Sequence, residues 1–227
     1  IRYHALLVRL PSASAKRIVA HDYTELVQSE QIMFVRPMGQ VVAPMPSIDD
    51  AQDWPIPTPA EAPTSLKQAR VALLDGLPLA NHRLLAGRLE VDDPDDWSSL
   101  YQSEHQKHGT AMASMILHGG GPSSAPLPCR LYVRPIMRPN PKRMEHEEQC
   151  PDDVLTVDLI YRALHRMFEG EGEGVTKQAP VAPDAIVVNL SVGDRARPFL
   201  GRILSPWARL LDWAAWKYKI LFCVSAG

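Results

Sequence analysis

Short apolar runs alternate with amphipathic stretches from residue 67 onward, and this pattern limits the folds open to the chain. VALL (71–74), RLYVRPI (130–136), AIVVNL (185–190) and ILFCV (220–224) are too short for helices and rich in β-branched residues. They read as strands whose two faces are both covered, as in a buried parallel sheet. The stretches between them carry a helical period. Residues 110–117 form one helix. Residues 153–168 place Val157, Ile160, Leu164 and Met167 on one face, after a start marked by Pro151 and Asp152. Residues 200–218 carry Ile203, Trp207, Leu210, Leu211 and Ala214. Strand-helix alternation predicts an α/β fold: a parallel sheet with helices on both faces, joined by right-handed crossovers.

The preceding region has a different composition. Residues 1–43 read as strand (HALLVRL), helix and strand (IMFVRPMGQVV), a small N-terminal β/α segment. Six prolines between Pro44 and Pro63 then mark an extended linker, taken as 44–66, because proline fixes φ and removes a donor. The domain proper spans 67–227.

Charge and composition exclude several functions. The 24 Lys and Arg against 26 Asp and Glu leave a net charge of −2, so no broad basic surface calls for nucleic acid or an anionic membrane. No apolar run approaches the roughly 18 residues of a membrane span. Three cysteines, Cys129, Cys150 and Cys223, are odd in number and far apart. They fit reduced thiols in a cytoplasmic protein, with Cys223 a small buried hydrophobe. No CxxC or HExxH spacing suggests zinc. The acidic loops 92–96 (DDPDD) and 169–174 (EGEGEG) read as solvated loops, with a structural calcium ion as the alternative. No other cofactor is expected.

The candidate chemistry lies where strands end, since ligands of open parallel sheets bind beyond the carboxyl ends of the strands. Asp75 ends the first strand. Ser191, Val192 and Gly193 follow AIVVNL, and Ser225, Ala226 and Gly227 follow ILFCV. His108 opens a helix that can reach the same rim. An Asp accepting from one imidazole nitrogen leaves the other free to deprotonate a hydroxyl.

VALLDGLPLANHRLL, HGTAMASMI, VVNLSVG and ILFCVSAG, in this order and spacing, resemble the subtilisin-like serine proteases. The resemblance covers residues 69–227. It implies a serine endopeptidase acting on polypeptides, with Asp75 orienting His108 and His108 serving as base and then acid. Ser191–Gly193 and Ser225–Gly227 would line the substrate cleft, and His82 matches a recurrent structural histidine. Gly76 departs from the family, which usually places Ser or Thr after the aspartate and then Gly; here Leu77 takes the glycine position. The oxyanion asparagine and the nucleophilic serine would lie beyond Gly227, so residues 1–227 alone are expected to be inactive, with the missing C-terminal part as a partner. An inhibitory pro-region or an accessory domain are the two readings of 1–43, and an ATPase is the further partner the resemblance suggests. The rival function is a non-catalytic peptide- or protein-binding module on the same scaffold. A nucleotide-binding domain lacks the glycine-rich loop it would need after the first strand. Trp97, Trp207, Trp213 and Trp216 read either as an interface or as core.

Overall fold

Nine residues from Lys67 to Asp75 form the strand around which everything else is arranged. A computed structural model describes residues 4–20, 22, 25–29, 32, 35, 66–119, 125–140, 148–172, 174–193 and 204–225 of the chain. The strands are β1 (Lys67–Asp75), β2 (Leu89–Val91), β3 (Cys129–Pro135), β4 (Arg138–Pro139), β5 (Glu148–Gln149), β6 (Val187–Leu190) and β7 (Leu221–Val224). The helices are α1 (Ser12–Val19), α2 (Glu25–Gln28), α3 (Lys107–His118), α4 (Thr156–Phe168) and α5 (Pro206–Tyr218).

Five strands make one parallel sheet in the order β2-β3-β1-β6-β7, and β4 and β5 form a separate antiparallel pair. The four expected strands are therefore parallel members of one sheet. β2 was not foreseen, because its three residues, Leu89, Glu90 and Val91, are too few to show a period.

Alternation along β1 divides the core in two. Leu73 packs with Leu131 and Val133 of β3 and with Ala113 and Leu117 of α3 on one face. Ala72 and Leu74 pack with Tyr132, with α4 through Leu159, Ile160, Ala163, Leu164 and Met167, and with α5 through Leu210 and Ala214 on the other. The result is three layers, α/β/α. The expected face of α4 is present, with Val157 at its margin. The helix starts at Thr156 rather than at residue 153, and Pro151 and Asp152, expected to mark its start, lie in the region before it. α5 begins where Ser205 accepts a hydrogen bond from the Ala208 N–H (3.1 Å) and Pro206 takes the first turn.

The crossovers are not all of one hand. β2→β3, β3→β6 and β6→β7 all step in the same direction along the sheet. Yet α3 covers one face while α4 and α5 cover the other. Steps in one direction with helices on opposite faces have opposite handedness. With the α4 and α5 connections in the near-universal right-handed form, the β2-α3-β3 connection is left-handed. This corrects the expectation of uniformly right-handed crossovers. The alternation of elements is blind to it, because the hand depends on which face a helix covers.

Three other expectations change. HALLVRL (4–10) is not a strand: it pairs with no described residue, and Leu6 is 89% exposed. Most of the second N-terminal strand and the 44–63 linker fall outside the described residues. β7 is a sheet edge rather than a buried strand: among the described residues nothing pairs beyond it, and Leu221 (64%), Cys223 and Val224 are exposed. Cys129 and Cys150 are buried free thiols. Of the tryptophans, Trp97 is core, Trp207 and Trp213 pack partly against it, and Trp216 is 72% exposed. No helix among the described residues is long and apolar enough to cross a membrane.

The packing makes a direct prediction. Leu164 is fully buried between sheet and helix, whereas Met115 on α3 is exposed. Leu164→Ala should lower the unfolding free energy by about 2–5 kcal/mol in urea titration. Met115→Ala should change it by less than about 0.5 kcal/mol.

Candidate active site

Asp75 is the last residue of β1 and lies on the same face as Leu73, towards α3. His108 is in the first turn of α3. Its Nδ1 lies 2.7 Å from Asp75 Oδ1, with the aspartate fully buried and the histidine 8% exposed. The Gly76 N–H donates to the same oxygen at 2.6 Å. The expectation that Asp75 and His108 come within hydrogen-bond reach is met.

Each remaining residue of the HGT-x-x-A stretch has a physical task. A Cβ on Gly109 would stand 2.9 Å from the Gly76 carbonyl carbon and 3.0 Å from that of Leu77, so only glycine lets α3 approach the turn after β1. Thr110 Oγ1 accepts from the Leu79 N–H at 2.8 Å and donates to the Gln106 carbonyl at 2.5 Å, tying the helix start to the same turn. Ala113 is fully buried against the Leu73 face of the sheet. His82 holds its own turn: its Nδ1 accepts from the Leu84 N–H at 3.4 Å.

Burial acts against the charged form of both partners. It pushes the Asp75 carboxyl up, and the hydrogen bonds from His108 and Gly76, with the imidazolium charge, offset this only in part. Burial pushes the His108 imidazole down. The hydrogen bond to Asp75 and the Asp75 charge, aided by Glu148, outweigh it and hold His108 above its ordinary value.

The residues after β6 and β7 lie on the same rim. β1 pairs β6 with Leu73 opposite Asn189, and β6 pairs β7 with Asn189 opposite Cys223. Two residues further on, that register sets Asp75, Ser191 and Ser225 in a row across three adjacent strands. Ser191 Oγ donates to Asn189 Oδ1 at 2.8 Å, Val192 is buried, and the Ser225 N–H donates to the Leu190 carbonyl at 3.3 Å. A Cβ on Gly193 would stand 3.5 Å from Ser225 Oγ, so the two strand exits run side by side. Ala226 and Gly227 fall outside the described residues. Among the described residues no serine hydroxyl is hydrogen-bonded to His108.

Sequence reasoning missed two groups beside the pair. Glu148 is 5% exposed, and Tyr101 sits against it, donating to the Met137 carbonyl (2.8 Å) and accepting from the Leu77 N–H (3.3 Å). Glu148 stands in an acidic run, EHEEQ, with no period or motif; its one sequence trace is the glycine at position 76. Cys150 is also close, but burial pushes its thiol up to about 12, with the Asp75 charge adding to the rise, so little thiolate forms near neutral pH.

The acidic loops are engaged by protein groups. Asp92 accepts from Arg166 Nε (2.9 Å) and Tyr132 Oη (2.7 Å), Asp93 from the Trp97 and Ser98 N–H groups (3.0 and 2.7 Å), and Asp95 from Arg134 (3.0 Å). Glu169 pairs with Lys217 and accepts from Tyr218 Oη (2.5 Å), and Glu171 pairs with Arg166. Among the described residues no group of three or more His, Cys, Asp or Glu side chains could hold a metal ion.

Comparison with protein-family models, with curated proteins and with solved structures finds no match to this chain.

If Asp75 raises the His108 proton affinity as the geometry requires, its replacement should reverse the shift. Asp75→Asn should move the His108 titration midpoint downward in imidazole NMR, since burial, which lowers it, then acts with only Glu148 opposing. An unchanged midpoint would mean the pair is not formed in solution. Gly109→Ala should force α3 off the turn after β1 and lower the melting temperature.

Proposed function

We propose that this chain is part of a subtilisin-like serine endopeptidase, in which Asp75 and His108 are two members of an Asp-His-Ser triad. The observation that carries the reading is the buried Nδ1–Oδ1 contact of 2.7 Å on the carboxyl rim of a parallel sheet. Asp75 fixes the imidazole with the proton on Nδ1. Nε2 then takes a proton from a serine hydroxyl as it attacks a peptide carbonyl, and returns it to the leaving amine. Ser191 to Gly193 and Ser225, level with Asp75 on neighbouring strands, line the cleft and offer backbone groups to an extended peptide. The triad reading requires a serine and an oxyanion donor that residues 1–227 do not supply in the expected context, and the exposed apolar edge of β7 suits a strand added there.

Hydrolysis by this mechanism needs both a hydroxyl nucleophile and an oxyanion donor. Residues 1–227 alone should neither cleave peptides nor label with a fluorophosphonate probe. A longer chain carrying the downstream segment should do both, and His108→Ala in it should cost on the order of a million-fold in turnover. Stoichiometric labelling of residues 1–227 would contradict this placement of the nucleophile. A longer chain that binds peptides yet stays inert would favour the binding-module reading, which the same exposed β7 edge supports. A cytoplasmic location, read from the three cysteines, and an ATPase partner, implied by the resemblance, belong to this proposal.

A further inference from the structure

A second buried carboxyl stands beside the Asp75–His108 pair, and the proposed chemistry does not use it. Glu148, in β5, packs its carboxyl over Gly76: a Cβ there would stand 2.5 Å from Glu148 Cδ and 2.7 Å from Oε2. The volume of a side chain at position 76, where the resemblance leads one to expect Ser or Thr, thus belongs to Glu148. Two buried carboxyl oxygens beside this glycine lack any hydrogen-bond partner: Asp75 Oδ2 and Glu148 Oε1. The Tyr101 hydroxyl is within reach of both Glu148 and the Met137 carbonyl, so its single proton is divided between two acceptors and Oε1 stays without a donor. Two carboxylates and one imidazole in a dry site carry excess negative charge, which a proton on Glu148 removes.

We propose that Glu148 is a positioning residue for the Asp75–His108 pair: its carboxyl fills the place of a residue-76 side chain and sets the proton affinity of His108 through its own protonation. Burial pushes this carboxyl up to about 7, with the Asp75 charge adding to the rise and Tyr101 and His108 opposing it. The titratable groups acting on it among the described residues are Asp75 from β1, His108 from α3, and Tyr101. Glu148 and His108 are therefore a coupled pair, each altering the other's midpoint: Glu148 holds His108 up and His108 holds Glu148 down. Any effect on peptide hydrolysis rests on the triad reading; the coupling itself does not.

The sign for stability follows. A carboxyl raised from 4.5 to about 7 in the folded state favours folding fully below 4.5, and that contribution is lost as pH rises through about 7. Glu148→Gln, which keeps the shape and removes the titration, should hold its stability over this window while the parent chain loses some.

The test is an NMR titration of the His108 imidazole in the 227-residue chain, with and without Glu148→Gln. The substitution should lower the His108 midpoint, and His108→Ala should raise that of the Glu148 carboxyl, followed by carbon-13 NMR. A folded Glu148→Gln chain with an unchanged His108 midpoint overturns the proposal. If Glu148→Gln does not fold, the His108→Ala arm decides alone. The shape claim has its own arm: Gly76→Ser should lower the melting temperature, and adding Glu148→Ala should recover most of the loss; no recovery overturns it. These readouts involve no hydrolysis, so an inert longer chain would sink the triad reading and leave them standing.

Discussion

The structure depends on what it takes to keep the Asp75 carboxyl out of water. Burying a carboxylate costs on the order of several kcal/mol even after relaxation. Two donors, the Gly76 N–H and His108, converge on Oδ1 and offset part of that. Hydrogen bonds to charged groups contribute about 1.5–3 kcal/mol each, so neither is dispensable. Both need close backbone approach: Gly109 brings the start of α3 against Gly76, and Thr110 ties it to Leu79. The HGT stretch is the local solution to one buried charge.

Sheet topology supplies the rest of the setting. β1 lies at the centre, and the α3 connection reaches its Leu73 face from the side opposite α4 and α5. The unusual hand of that connection puts the start of α3 over the end of β1, on the face towards which Asp75 projects. Were α3 on the other face, it would meet Leu74 instead. The same register sets Ser191 and Ser225 level with Asp75. An edge strand with Leu221 and Val224 exposed then stands next to the rim, where unpaired backbone is available.

Much of this was legible in the sequence, and the reasons are local. Short apolar runs such as VALL and AIVVNL announce strands, and the stripe of Val157, Ile160, Leu164 and Met167 announces a helix. Asp75 and His108 could be singled out because each sits at the end of such an element, where direction is fixed. β2 escaped because three residues carry no period, and the crossover hand because it is a property of faces. β7 reads as buried because hydrophobicity reports affinity for cover and not whether cover is present. HALLVRL failed for the same reason: a strand needs a partner, and residues 4–10 have none among the described residues. Glu148 was invisible because burial of an acid is set by its tertiary neighbours, here Tyr101 and Gly76, which lie far away in the chain.

The central claim is that Asp75 fixes His108 in the tautomer that leaves Nε2 free to accept a proton. Long-range nitrogen-15 correlation NMR of the His108 ring, recorded above its titration midpoint, tests this directly. The account predicts a protonated Nδ1 and an unprotonated Nε2. A neutral ring with the proton on Nε2 would contradict it.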